Sequence, residues 1–160
     1  MGIIRILSIL LFMSVSLPAS AKWSHKEETD ANTNDTNYFL YSVSRKGKNH
    51  SKNPIGLIMR CKNNRLILYV NWGVTLDDRK QVKVKFDDSN VIEQKWTSAS
   101  DKTALFHPRP KQMFQQMMAA KKLELETVTV KGAPVSALFS LRGLSLASHK
   151  MRKNCNTKPG

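Results

Sequence analysis

Residues Ile55–Asn71, IGLIMRCKNNRLILYVN, decide the fold class. Two apolar runs, Ile55–Cys61 and Arg65–Asn71, flank Lys62-Asn63-Asn64. Asparagine tolerates the left-handed backbone of a tight turn, so the stretch predicts an antiparallel hairpin. Leu66–Val70 is apolar in both phases of the alternation. That pattern predicts a strand covered on both faces.

The same short periodicity extends to either side. Tyr38–Ser44 (YFLYSVS) is aromatic and β-branched, and Arg45–Asn53 (RKGKNHSKN) reads as a loop. Gln81–Phe86 alternates, with Val82, Val84 and Phe86 inward and Lys83 and Lys85 outward. After the turn residues Asp87-Asp88-Ser89-Asn90, Val91–Thr97 returns as another strand. Leu123 and Leu125 share one phase and Val128 and Val130 the other, which predicts a β-bulge near Glu126-Thr127. Val135, Ala137, Phe139 and Leu141 form a last alternating strand. Pro108-Arg109-Pro110 precedes the clearest helix, whose apolar face is Met113, Phe114, Met117 and Met118. Leu144–Arg152 reads as a second short helix. The expected fold is mainly β: one antiparallel, sandwich-like sheet assembly over residues 38–155, with two short α-helices and one disulfide. A mobile polar leader, residues 22–37, precedes it, and a tail, residues 156–160, follows.

Met1–Ala21 has the form of a secretory signal peptide. A charged start with Arg5 leads into the apolar run Ile6–Leu17, and Ala19-Ser20-Ala21 places small residues around a cut between Ala21 and Lys22. The run is shorter than the ~20 residues of a membrane span, so no span is expected after cleavage. The expected location is the periplasm. Of the 26 lysines and arginines, 25 remain after the cut against 12 acids, a net +13. In the envelope such a charge favours anionic polymers or acidic protein faces, and makes nucleic acid an improbable partner. Lys83 and Lys85 share the outward side of one strand, and Arg45, Lys46 and Lys48 could lie beside them. These five are the candidate basic binding face. Cys61 and Cys155 are the only thiols, and in an oxidising compartment they predict one disulfide closing a loop of about 95 residues. Free thiols or an intermolecular bond are the alternatives.

No catalytic constellation stands out. His25, His50, His107 and His149 fall in separate segments without metal-ligand spacing, and no nucleophile motif accompanies them. Asp77-Asp78 and Asp87-Asp88 sit where turns are expected, without calcium-loop spacing. Neither an enzyme, a metal nor a cofactor is expected.

The order of short motifs carries a resemblance. Arg60-Cys61-Lys62-Asn63-Asn64 ends one strand, and Trp96-Thr97-Ser98-Ala99-Ser100 precedes Ala104-Leu105-Phe106 and the Met/Phe helix. Gly132-Ala133-Pro134, Phe139, Arg142-Gly143-Leu144 and Cys155 follow. Over residues 38–155 this arrangement resembles the VasI/TagO-type family of exported proteins associated with bacterial type VI secretion. The resemblance implies a periplasmic, non-enzymatic accessory or binding role, with a partner in the envelope or secretion apparatus, and the two cysteines match the family's bonded pair. The family often has a tryptophan soon after its last cysteine, where this chain has Asn156-Thr157-Lys158-Pro159-Gly160. The alternative is a cationic protein that binds lipopolysaccharide, anionic lipid or cell-wall polymer, encoded by a phage or another mobile element.

Overall fold

The computed structural model describes residues 23–49 and 52–158. The expected signal peptide, its cut between Ala21 and Lys22, and His50 lie outside the described residues. The chain order is β1 (Ser24–Thr29), β2 (Thr36–Lys48), β3 (Pro54–Lys62), β4 (Arg65–Asn71), β5 (Gln81–Phe86), β6 (Ile92–Lys95), β7 (Thr97–Ser98), β8 (Ala104–Phe106), α1 (Pro110–Ala119), β9 (Lys122–Val128), β10 (Pro134–Ser140), α2 (Leu144–Ala147) and α3 (His149–Asn154).

The fold is mainly β and antiparallel. The sheet order is β6-β5-β9-β10-β2-β3-β4-β8-β7, and β1 pairs with β2 beside this path. Its two ends, β6 and β7, are consecutive pieces of chain separated only by Trp96. The Trp96 amide donates to Lys80 O at 2.9 Å, while Thr97 pairs with Phe106. One strand therefore leaves one edge of the sheet and joins the other, and the assembly is a nearly closed barrel. Closure removes the unpaired edges that a flat sheet would expose.

At the other seam β2 serves both halves. Residues 38–43 pair with β3, whereas Lys46 pairs with Leu138 of β10, with a register shift between Val43 and Lys48. Gly47 lies within this shift at φ +83°, and a Cβ there would stand 1.9 Å from Ser136 O. Only glycine combines that backbone angle with so close a crossing. The turn at Asn63-Asn64 also uses two left-handed residues, at φ +48° and +60°.

Several expectations change. Part of the supposed mobile leader is β1, registered from Ser24↔Tyr41 to Thr29↔Thr36. Its backbone hydrogen bonds hold a segment that has little apolar content of its own. The loop expected at Arg45–Asn53 begins instead as the end of β2. Nor does β9 bulge: Leu123, Leu125 and Thr127 all face inward. A threonine can keep that phase because its hydroxyl donates to Gln81 O at 2.7 Å, so its polar atom is satisfied. The last helix breaks in two at Ser148, which is fully buried. The first residues of the tail are docked: Gln115 Nε2 donates to Thr157 O at 3.1 Å, and the Asn156 amide donates to Asn64 Oδ1.

The interior is filled from both halves of the sheet. Leu57, Met59, Leu68, Val82 and Phe139 are buried, and Trp72 and Trp96 lie among them. Helix α1 begins with Pro110, whose missing N–H costs nothing in the first turn, and buries Met113, Phe114 and Met117. Cys61 on β3 is bonded to Cys155 after α3, across a sequence separation of 94. The C-terminal helices are thereby tied to the middle of the sheet.

Two outcomes follow for stability. Replacing Cys61 and Cys155 by serine should lower the urea-unfolding free energy by up to about 4–5 kcal/mol, because a long loop is released in the unfolded chain. An unchanged midpoint would refute the cross-link as a stabiliser. Gly47→Ala should lower the thermal midpoint more than Gly132→Ala does. Both residues have positive φ, but only Gly47 faces a backbone oxygen.

Candidate functional site

The five basic residues expected to form one face are only partly brought together. Lys46, Lys83 and Lys85 line one groove of about 430 Å³ on the outer side of β5, β9 and β10. Acids alternate with them across the strands: Lys83 is opposite Glu126 and Lys85 opposite Glu124. Lys83 Nζ lies 2.9 Å from Glu126 Oε1, and this hydrogen bond holds the ammonium above the ordinary lysine range. The face is a charge-balanced lattice, because cross-strand pairing sets opposite charges side by side. Lys48 ends β2, with its backbone paired to Pro54. Arg45 turns away from this lattice into a second groove that also contains Lys46, Lys121, Lys122 and Arg142. Lys121, Lys122 and Arg142 were not among the sequence candidates. Nothing in one dimension places the end of α1 beside the end of β10.

The outer face of the opposite half has different chemistry. Strand registry aligns Ser24, Tyr41, Ile58, Tyr69 and Phe106 in one row across β1, β2, β3, β4 and β8. The next row holds Phe39, Arg60 and Ile67. Tyr41 is 43% exposed and Val43 52%, while Phe39, Ile58, Ile67, Tyr69 and Phe106 are half-buried. The doubly apolar Leu66–Val70 is thus covered on its inner side alone, and its outer side opens onto a partly exposed apolar surface. The rings of Tyr69 and Phe106 stack with centroids 4.8 Å apart. The Arg60 guanidinium carbon stands 5.2 Å from the Phe39 ring centroid. Arg60 Nε is buried and has no hydrogen-bond partner among the described residues. A groove of about 1080 Å³ adjoins this face, running past Arg65, Ile67, Phe106, Arg109 and Lys111.

His107 borders the same groove and is locked in place. The Arg109 amide donates to Nδ1 at 3.0 Å, so Nε2 carries the proton and donates to Gln94 Oε1 at 3.0 Å. Gln94 Oε1 also accepts from Trp96 Nε1 at 3.2 Å, and the Trp96 ring meets the imidazole edge-on. Burial pushes the His107 pKa down to about 4, and neighbouring Arg109 adds to the cost of a second positive charge. A histidine with both nitrogens committed positions the Trp96 corner. His25 and His149 are exposed. Asp77 and Asp87 serve turns: Asp77 accepts from the Arg79 amide, and Asp87 from the amides of Lys121 and Lys122. Among the described residues no group of three or more His, Cys, Asp or Glu could hold a metal ion.

No family model matches this chain, and no curated protein matches it in sequence. Its fold is similar to the crystal structure of invasion associated protein B from Bartonella henselae. The TM-score is 0.60, with 15% sequence identity over 84% of this chain and 94% of that one. Identity this low carries the architecture alone. No helix among the described residues is long and apolar enough to cross a membrane.

The buried imidazole makes stability depend on acid. The His107 pKa is depressed from 6.5 to about 4 in the folded chain, so between these values the unfolded chain binds more protons. Stability should be insensitive to this group above pH 6.5 and fall as pH drops from there toward 4. Urea unfolding of the wild type and His107→Gln across that window should show a flatter profile for the variant. Parallel profiles would mean that His107 is not held neutral.

Proposed function

We propose that this chain is an exported, non-enzymatic binding protein of the bacterial periplasm, an accessory module that docks a protein partner on its aromatic sheet face. The observation carrying this reading is the row of Tyr41, Ile58, Tyr69 and Phe106 on the solvent side of a sheet whose other side already packs the core. Partly exposed apolar surface of this extent marks interaction sites on soluble proteins. Tyrosine and phenylalanine supply much contact area at little cost in side-chain freedom.

The charges at the margin specify the partner further. Arg60, Lys62 and Arg65 follow the aromatic rows toward the hairpin end, and Arg109 and Lys111 line the adjoining groove. A partner with an apolar centre and an acidic rim is complementary to such a surface. Export is supported by the sequence Met1–Ala21, and a secretion-associated role by the resemblance over residues 38–155.

The test places a photo-crosslinking amino acid at Ile58 in cells producing the full chain, with Ser136 on the charge-balanced face as the control position. Ile58 should give one dominant adduct with an acidic envelope protein, Ser136 should give none, and adding Tyr69→Glu should abolish the adduct. The isolated protein should begin at Lys22 and be recovered in the periplasmic fraction. Equal adducts at both positions, or none at Ile58, would remove the docking assignment, and a cytoplasmic product beginning at Met1 would remove export.

A further inference from the structure

The sharpest electrostatic imbalance lies at the rim where β2, β10 and the α1–β9 junction meet. A groove of about 790 Å³ there is lined by five bases, Arg45, Lys46, Lys121, Lys122 and Arg142. Two acids share it, and both are already engaged. Asp87 accepts hydrogen bonds from the backbone amides of Lys121 (3.0 and 3.2 Å) and Lys122 (2.8 Å), which joins the start of β9 to the β5–β6 turn. Asp88 lies 3.5 Å from Lys122 Nζ. Among the described residues, Arg45, Lys46, Lys121 and Arg142 make no ion pair and no side-chain hydrogen bond. Ser140 lies in the floor, 5% exposed, and its hydroxyl also has no hydrogen-bond partner among the described residues.

This contrasts with the neighbouring strand face. There each lysine of β5 stands opposite a glutamate of β9. Here the four unpaired bases and Lys122 share one concavity with two carboxylates, a net charge of +3, so their mutual repulsion favours the entry of an anion. Two of the four are arginines, whose planar forks match the oxygens of a phosphate in bidentate fashion, while lysines act as mobile point charges. The Ser140 hydroxyl would add a neutral donor at the floor. The groove has the volume of an ordinary ligand site, more than a single inorganic anion fills.

We propose that this rim groove is a binding site for a group bearing two or more phosphates, such as an oligophosphate or the headgroup of a diphosphorylated lipid. Arg45, Arg142, Lys46 and Lys121 contact the phosphate oxygens. The site is separate from the aromatic face and does not depend on a protein docking there.

The experiment measures binding of tripolyphosphate by calorimetry, and of phosphatidylcholine vesicles with and without cardiolipin by sedimentation, at low and physiological salt. The proteins are the wild type, Arg45→Ala, Arg142→Ala, Lys121→Ala and the control Lys83→Gln. One-to-one tripolyphosphate binding that weakens about fivefold for each groove base removed, and steeply with salt, is expected for a site that recognises the oligophosphate itself. Binding confined to cardiolipin vesicles, with the same loss in the groove variants, assigns the site to a lipid headgroup. Lys83→Gln should bind like the wild type in either case. Each variant's circular dichroism and thermal midpoint are recorded, so that lost binding is separated from lost fold. Lack of binding to both probes at low salt by folded wild type overturns the proposal. So does binding that Lys83→Gln weakens as much as the groove variants do.

Discussion

Closure of the sheet at Trp96 is the constraint on which the other arrangements depend. The chain leaves β6, turns through one buried residue and enters β7 on the opposite edge, so both edges must approach within one residue's reach. His107 and Gln94 hold that residue by a relay of hydrogen bonds. Burial and fixed tautomer make the imidazole part of the frame. A free acid-base group would need a pKa nearer the working pH and a nitrogen left open to a substrate. The second seam, where Gly47 lets β2 cross against β10, completes the ring.

Once the ring is closed, each strand has an inside and an outside, and the outside divides into regions of distinct chemistry. The half built from β5, β9 and β10 neutralises its charges locally by registry. The half built from β2, β3, β4 and β8 carries aromatic and aliphatic groups outward. The rim between them gathers bases that cross-strand partners do not neutralise. A net charge of +14 for the whole chain therefore says little about any one surface until pairing is known. Lys83 and Lys85 stood out as the outward bases of one strand, yet in space Lys83 is paired with Glu126 and Lys85 stands opposite Glu124.

The hairpin Ile55–Asn71, the alternation at Gln81–Phe86, the α1 face and the Cys61–Cys155 bond were legible because each is written in local periodicity or in a forced pairing. The role of β1 was not, since Ser24–Thr29 contains no apolar alternation and is a strand only through hydrogen bonds to β2. The phase of β9 was misread because Thr127 sits inside as a polar residue whose hydrogen bond is long-range. The open outer side of Leu66–Val70 escaped notice because apolar residues in both phases predict cover, and the sequence does not say whether that cover belongs to the same chain. The rim groove draws on four separate segments, residues 45–46, 87–88, 121–122 and 138–142, so no local pattern marks it.

The dual membership of β2 has a kinetic consequence. Its first half finds β3 within a few residues, but its second half must wait for β10, and Cys61 must wait for Cys155. A topology so rich in distant pairings searches slowly, because loop entropy is lost before the long-range contacts compensate for it. The hairpin of β3 and β4 can form early, while the ring cannot close until β10 is available. A ribosome-bound or truncated chain ending before β10 would hold half a sheet with an open edge, the state most exposed to proteases and to mispairing with another copy.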